Sequence, residues 1–259
     1  MTLFHGDCLE VLKALEANSV DMVLADLPYQ TTECHWDTMI PFGPLWEELH
    51  RVTKEDSAIV MFCAEAFTAR LILSNLENYR YSLVWKKTKV GRFAQAKLRF
   101  LNEHEDIAIF SKGKCSANSK IKMRYFPQGL KPFGKVVKDT SHKNGLRTNR
   151  KALPDYLQEF TNYPKSVLEF PSVAKTIHPT EKPVDLLSYL IKTFTREKDI
   201  VLDPTMGSGS TGEACLSTNR FFVGIEKDAH YFEASRARLE GFRPSSNYQP
   251  ELFPEVAAT

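Results

Sequence analysis

Short apolar runs alternate with stretches of helical periodicity in two parts of the chain. In the first part the pattern predicts strands at 20–25, 57–63, 81–85 and 107–110, and helices at 44–52 and 65–76. In the second part it predicts helices at 184–194, 211–216 and 231–239, and strands at 200–202 and 221–225. Apolar strands joined by crossover helices are typical of a buried parallel sheet. We therefore expect an α/β fold with a doubly wound, mostly parallel sheet of about seven strands.

The two parts are separated by a segment of different composition. Residues 111–171 show little periodicity and are rich in Gly, Pro, Asn and Lys, which predicts a small insertion. The pattern divides the chain into a first half at 1–110, an insertion at 111–171 and a second half at 172–242. Residues 243–259 begin with Arg, Pro and Ser and are predicted to form a flexible tail.

The net charge of +2 hides two strongly basic segments. Residues 85–99 contain six Lys or Arg and no acid, and residues 112–151 contain twelve against the single Asp139. A basic insertion on an otherwise acidic chain is typical of a protein that binds a polyanion such as nucleic acid. A solvated lysine-rich loop remains the alternative.

Cysteine spacing and the lack of a long apolar run argue against a zinc-binding, a disulfide-stabilised and a membrane-spanning protein. The five cysteines are scattered, with no Cys-x-x-Cys pair and no histidine at metal-ligand spacing. We expect reduced thiols in a cytoplasmic protein and no metal site. The N-terminus lacks the features of a signal peptide, and no stretch approaches the roughly 18 apolar residues of a membrane span.

A glycine-rich turn follows the strand predicted at 200–202. The string DPTMGSG occupies residues 203–209, and Gly212 completes a G-x-G-x-x-G spacing. Glycines at such a turn let a cofactor approach the backbone, and Glu226 at the end of the next strand is placed to accept hydrogen bonds from a ribose. An ordinary tight turn and a nicotinamide-dependent oxidoreductase are the alternatives.

A second loop follows the strand at 20–25 and consists of Asp26, Leu27, Pro28 and Tyr29. It combines a carboxylate, a backbone carbonyl and an aromatic ring. Acceptors for both N–H bonds can align the lone pair of an aromatic amine with an electrophilic methyl group, and the ring can stack on a base. The alternative is an aspartate that only caps the turn.

Three motifs in a fixed order resemble a known family. The strings DLPY at 26–29, HPTEKP at 178–183 and DPTMGSG at 203–209 resemble the beta class of S-adenosylmethionine-dependent amino DNA methyltransferases, the permuted arrangement with the catalytic motif first. Thr31, Thr32, Trp36 and Asp37 resemble prophage-borne members. The resemblance implies a Rossmann-like methyltransferase fold, a role of the restriction-modification kind, and recognition of DNA by the insertion.

The resemblance also implies roles for individual residues. The catalytic loop is Asp26, Leu27, Pro28 and Tyr29. S-adenosylmethionine is expected to contact Asp7, Thr180, Lys182, Asp203, Pro204, Gly207, Gly209 and Glu226. Lys182 would be the counter-ion of the cofactor carboxylate; Thr180 would lie near it or cap a helix. His104 and Glu105 resemble a motif that shapes the base pocket.

Two residues depart from the family pattern. Leu27 replaces a frequent proline, which leaves its carbonyl in place, and Thr205 replaces a usual phenylalanine, which removes any stacking by that side chain.

The predicted reaction is direct in-line methyl transfer to N6 of a flipped adenine in double-stranded DNA. Asp26 favours adenine, because members that modify N4 of cytosine usually have serine there; N4 of cytosine stays the alternative. RNA or a protein glutamine as the methyl acceptor, and a DNA-binding relative without activity, are further alternatives.

Partners are predicted from the basic segments and the tail. The candidate DNA contacts are Lys86, Lys87, Lys89, Arg92, Arg124, Arg147 and Arg150. Gln249 to Phe253 in the tail resemble peptides that dock on the bacterial sliding clamp. The family resemblance implies a homodimer.

Overall fold

The computed structural model describes residues 1–29, 39–91, 93–137, 155–173 and 180–243. The strands are β1 (Thr2–His5), β2 (Val20–Asp26), β3 (Thr53–Cys63), β4 (Tyr79–Gly91), β5 (Asn102–Phe110), β6 (Lys131–Val137), β7 (Tyr156–Thr161), β8 (Val167–Glu169), β9 (Ile200–Asp203) and β10 (Phe221–Glu226). The helices are α1 (Cys8–Ala14), α2 (Phe42–Val52), α3 (Glu65–Ser74), α4 (Val184–Phe194), α5 (Ser210–Ser217) and α6 (Ala229–Glu240).

Eight strands form one sheet in the order β1-β10-β9-β2-β3-β5-β4-β8. Only β5 runs antiparallel to its neighbours, β3 and β4. The predicted doubly wound, mostly parallel fold is confirmed, with eight strands in place of about seven. The sequence pattern missed β1 and β8 because both are short and only half-buried, so neither forms an apolar run.

The sheet is covered by helices on both faces, as the apolar strands require. Along β2, Met22 and Leu24 belong to the core with α4 and α5, whereas Val23 and Ala25 belong to the core with α1 and α2. Side chains alternate between the faces of a strand, so β2 needs apolar residues at every position. Its residues from 20 to 25 are all buried.

Strand order reverses between β2 and β9. The chain passes from β2 to β3 on one side and from β9 to β10 on the other, although β2 and β9 are paired neighbours. The connections therefore diverge beyond the carboxyl ends of these two strands, and open α/β sheets bind ligands in the crevice that this creates. Asp26 ends β2 and Asp203 ends β9, so both carboxylates lie at this crevice.

The segment 111–171 contributes to two sheets. Within it, β6 and β7 form a separate antiparallel pair, while β8 joins the edge of the main sheet beside β4. Arg147 and Arg150 lie outside the described residues, as do Arg92 and the tail peptide 249–253.

Arg124 lies at the opposite edge of the sheet from Asp26. Its guanidinium makes ion pairs with Asp21 at 2.6 Å, Asp56 at 2.7 Å and Asp199 at 3.2 Å. Asp21 is the second residue of β2 and Asp199 precedes β9, so these pairs tie the amino ends of the strands together. Arg124 is therefore a structural residue whose charge is balanced by three carboxylates of the chain, and its role as a DNA contact stays a prediction.

In the described ranges, no helix is long and apolar enough to cross a membrane. The same ranges hold no cluster of three or more His, Cys, Asp or Glu side chains suited to a metal ion.

Candidate active site

A cavity of about 500 Å³ opens at the carboxyl ends of β2, β9 and β10. Its lining includes Asp7, residues 26–29, Thr180, Lys182, Asp203, Pro204, Gly207 and Glu226. Residues that are far apart in sequence are thus brought together, because parallel strands end at the same edge. Gly209 does not line the cavity; it turns the chain into α5.

Two side chains hold the Asp26 carboxylate. The Tyr29 hydroxyl donates to Oδ1 at 2.6 Å and the Lys182 ammonium donates to Oδ2 at 2.6 Å. The ring of Tyr29 stacks on Phe67 with centroids 4.5 Å apart. Burial and the adjacent Asp26 charge raise the pKa of Tyr29 well above 10, so it stays a neutral donor. Asp26 is therefore a fixed, partly exposed acceptor that faces the cavity.

Lys182 is surrounded by oxygens of the chain. Besides Asp26, its ammonium donates to the Thr180 carbonyl at 3.1 Å and makes an ion pair with Glu105 at 3.4 Å. Burial lowers the pKa of Lys182, but the charges of Asp26 and Glu105 outweigh burial and raise it. Of the three N–H donors of the ammonium, two are thus engaged in hydrogen bonds, with Asp26 and with the Thr180 carbonyl, and the third faces Glu105 in an ion pair. Within the chain Lys182 therefore holds Asp26, and its contact with the cofactor carboxylate stays a prediction.

Thr180 is likewise not a helix cap. The residue at the N-cap position of α4 is Pro183, and Thr180 lies three residues earlier on the wall of the cavity.

Glu105 extends the ionic chain away from the cavity. Lys87 on β4 pairs with Glu105 on β5, and Glu105 contacts Lys182. Burial raises the pKa of Glu105, but the charges of Lys182 and Lys87 outweigh it, so the pKa is lowered. Lys87 is therefore paired with a carboxylate of the chain, and its contact with a DNA phosphate stays a prediction. Lys86 pairs with exposed Glu169 at 3.3 Å, and Lys89 is exposed.

Asp203 links the glycine turn to the catalytic loop. Its Oδ1 accepts the Thr205 N–H at 3.1 Å and its Oδ2 accepts the Thr211 hydroxyl at 2.7 Å. The Thr205 hydroxyl donates to the backbone carbonyl of Asp26 at 3.1 Å. Thr205, where the family usually has phenylalanine, thus fixes the end of β2 to the turn after β9.

Replacing Asp203 with Asn is expected to alter the pH dependence of stability. Burial raises the pKa of Asp203 from 3.8 to about 7. The folded state therefore keeps this proton up to a higher pH than the unfolded state, and its stabilising effect is lost as pH rises from about 4 to 7. The free energy of unfolding of Asp203→Asn, relative to the unmodified protein, should increase over this window by up to about 1 kcal/mol per pH unit.

Urea unfolding of both proteins at several pH values measures this difference. Asp199→Asn is a matched control at the opposite edge of the sheet. A constant difference between Asp203→Asn and the unmodified protein from pH 4 to 8 would contradict the raised pKa.

The turn after Asp203 requires glycine for its geometry. Gly207 and Gly209 have φ values of 49° and 76°, where other residues are strained. A Cβ at Gly209 would also lie 3.0 Å from the Cβ of Ser235. The turn brings the Gly207 N–H to the Glu226 carboxylate at 2.9 Å, and that carboxylate also accepts the Asp228 N–H at 2.8 Å. Burial raises the pKa of Glu226.

Asp7 completes the rim of the cavity. It is the N-cap of α1, where its carboxylate accepts the Leu9 N–H at 3.0 Å, and it makes an exposed ion pair with Lys227 at 3.0 Å.

The sequence did not reveal the aromatic residues behind the catalytic groups. Phe67 supports the ring of Tyr29, and the ring of Phe62 lies 5.1 Å from the Lys182 ammonium. Both residues read as ordinary core positions of α3 and β3, and nothing in their spacing marks them as part of a site.

Comparison with known proteins agrees with this geometry. Residues 20–237 match the sequence model of the N6/N4 DNA methylase family. This chain belongs to that family. The match includes both motifs at the crevice, the loop after β2 and the turn after β9. This methylase is thus a DNA methyltransferase, from a family whose name covers both N6 and N4 methylation.

Relatives of known name match this methylase over most of its length. The type II methyltransferase M.HinfI of Haemophilus influenzae is 27% identical, with 95% of this chain and 70% of the relative covered. The DNA adenine methyltransferase YhdJ of Escherichia coli K12 is 28% identical, with 98% and 87% covered. The solved structure of the M1.HpyAVI–SAM complex matches with a TM-score of 0.60 at 24% identity, covering 92% of this chain and 99% of that one, which supports the fold.

Proposed function

We propose that this methylase transfers a methyl group from S-adenosylmethionine to N6 of adenine in double-stranded DNA. The carrying observation is the Asp26 carboxylate, held by Tyr29 and Lys182 at the mouth of a cavity whose other wall is the glycine turn after β9. An acceptor fixed beside a cofactor pocket is what methylation of a poorly nucleophilic amine requires.

The chain's own groups fit S-adenosylmethionine. The backbone at Gly207 has no side chain in the way, and both Glu226 oxygens are held at the end of β10, where they retain lone pairs for ribose hydroxyls. Asp7 lies at the rim of the cavity, where the adenine ring of the cofactor would bind. Pro204 and Thr180 line the wall between this rim and the catalytic loop. When bound, the cofactor supplies an electrophilic methyl group on a sulfonium.

The catalytic loop orients the amine. In the proposed complex, the Asp26 carboxylate and the Leu27 carbonyl each accept one N–H of the target amino group, which aims its lone pair at the methyl group. The incoming N–H takes the place of the Tyr29 hydroxyl on Oδ1, and the freed ring of Tyr29 stacks on the flipped base. Lys182 holds Oδ2 throughout, and the Oδ1 side of the Asp26 carboxylate can take the proton that the methylated nitrogen releases.

Adenine is favoured over cytosine by Asp26 at the first motif position and by the likeness to the adenine methyltransferase YhdJ. N4 of cytosine is the second candidate, since the family includes both reactions.

We further propose a cytoplasmic homodimer of the restriction-modification or prophage type, with DNA read by segment 111–171. The clamp-binding peptide at 249–253 is proposed from the sequence alone.

Digestion of methylated DNA to nucleosides tests the proposed function. Purified protein is incubated with labelled S-adenosylmethionine and unmethylated genomic DNA, and the labelled nucleosides are identified by mass spectrometry. N6-methyladenine is the expected product. N4-methylcytosine alone would overturn the choice of base, and no labelled nucleoside would overturn the reaction. Asp26→Ala protein purified in parallel controls for contaminating methyltransferases and should give no product.

A further inference from the structure

The loop between β4 and β5 carries the most exposed large apolar side chains of the described residues. Phe93 is 78% exposed, Leu98 86% and Phe100 96%. We call these three side chains the apolar tip. Single exposed apolar residues are common, but three within eight positions, two of them aromatic, mark a surface that contacts a partner.

The backbone of this loop is well structured. Phe93–Gln95 form a single 3-10 turn, the Ala96 N–H donates to the Phe93 carbonyl at 3.0 Å, and the Leu98 and Arg99 N–H groups both donate to the Gln95 carbonyl. Gly91 pairs with Asn102 at the base of the loop. The apolar tip is therefore presented by a compact turn and has not simply been left uncovered by an extended chain.

The loop lies on the same edge of the sheet as the candidate active site. Because β4 and β3 are both antiparallel to β5, β4 runs in the same direction as β2 and ends at the same edge. Glu105, which contacts Lys182, lies three residues from Asn102 along β5, so the loop begins about 10 Å beyond the ionic chain that holds Asp26.

A side-chain contact fixes the loop beside the catalytic tyrosine. Arg99 makes an ion pair with Glu65 at 2.9 Å, at the first residue of α3. Two residues further on, Phe67 stacks against Tyr29. The loop is thus anchored to the helix that supports the proposed base-stacking ring.

The charge around the apolar tip identifies the partner. The described residues from 86 to 101 include Lys86, Lys87, Lys89, Lys97 and Arg99 and no acid. Exposed Lys89 lies near the end of β4, just before the loop, and exposed Lys97 lies within the loop between Phe93 and Leu98. Alternating cationic and aromatic groups suit a nucleic-acid strand, in which phosphates alternate with stacked bases. A second copy of this chain on the apolar tip would instead occupy the edge of the sheet to which the proposed substrate must bind.

We propose that the apolar tip enters the DNA duplex beside the target base pair and occupies the space from which the base is withdrawn. Proteins that insert Phe or Leu between base steps unstack them locally, and extrusion of a base carries the same unstacking cost. Lys89 and Lys97 hold the adjoining phosphates. The inference rests on the proposed function, since it requires a flipped base in the cavity.

Paired and mispaired substrates test this role. The sites methylated by the unmodified protein are mapped by sequencing, and two duplex oligonucleotides are made with the target base either paired or mispaired. For Phe100→Ala, kcat/KM is expected to fall about tenfold on the paired duplex and to stay within about twofold on the mispaired one, where opening costs little. Phe221→Ala removes a half-exposed ring at the opposite edge of the sheet and should change neither rate.

Each other outcome has a defined meaning. An equal loss of kcat/KM on both duplexes, or no loss on either, would overturn the proposed insertion of the apolar tip into the duplex. The proposed function would remain intact. Conversion of a dimer to a monomer by the triple change Phe93→Ala, Leu98→Ala and Phe100→Ala, with unchanged preference between duplexes, would assign the surface to a second copy and overturn the proposal. Failure of the unmodified protein to methylate any DNA would contradict the proposed function itself.

Discussion

Asp26→Ala is expected to lower kcat for methyl transfer by about 1000-fold while the dissociation constant of S-adenosylmethionine changes by no more than about threefold. The carboxylate is the acceptor proposed to orient the amine, and it is fixed by Tyr29 and Lys182 before any substrate arrives. The cofactor is proposed to contact other groups, chiefly the turn at Gly207 and Glu226. Single-turnover transfer of labelled methyl and calorimetry measure the two quantities separately.

Lys182 sharpens this test because the sequence and the structure give it different roles. If it acts by holding Asp26, Lys182→Met should lower kcat by about 100-fold with little change in cofactor affinity. The double variant should be no slower than Asp26→Ala alone, since both changes remove one interaction. Weaker cofactor binding with an unchanged kcat would instead show that Lys182 acts as the counter-ion of the cofactor carboxylate. A far-ultraviolet circular dichroism spectrum checks that each variant is folded.

The site was predictable wherever one strand end carries its own motif. Asp26 and Asp203 each follow an apolar run, so the parallel-sheet geometry alone places them at one edge. Neither apolar run predicts that the strand order reverses between β2 and β9. The reversal follows once the connections between the strands are known. The doubly wound fold and the neighbourhood of the two motifs were therefore accessible from the chain.

Side-chain partners were less predictable, because each charged side chain had several oppositely charged side chains as possible partners. Lys87 and Glu105 lie on adjacent strands whose register the sequence does not specify, so their pairing appears only in the structure. Thr205 is similar: its hydroxyl reaches a backbone carbonyl 179 positions away in sequence. A basic composition likewise does not separate arginines that meet a polyanion from those that meet carboxylates of the same chain.

Arg124 is the clearest such case, and its removal should destabilise the fold without affecting the cavity. Asp21 is almost fully buried, and its carboxylate accepts from Arg124, from Lys54 at 2.6 Å and from the Ile200 N–H at 3.0 Å. Breaking one side of a buried ion pair leaves the other charge poorly compensated, so Arg124→Met should lower the free energy of unfolding by about 3 kcal/mol. Lys54→Met, which removes a more exposed partner of the same carboxylate, should cost about 1 kcal/mol or less.

The pH dependence of this loss has a definite sign. Burial raises the pKa of Asp21, but the Ile200 N–H, Lys54 and Arg124 outweigh it and hold the pKa below its ordinary value of 3.8. The carboxylate's stabilising effect is therefore present above about pH 4 and is lost as pH falls through the lower pKa of the folded state. Urea unfolding at pH 7 should show the full difference between Arg124→Met and the unmodified protein, and unfolding near pH 3 a smaller one. Equal differences at both pH values would contradict the coupling of Arg124 to the Asp21 carboxylate. A variant as stable as the unmodified protein but weaker in binding DNA would show that Arg124 contacts the nucleic acid.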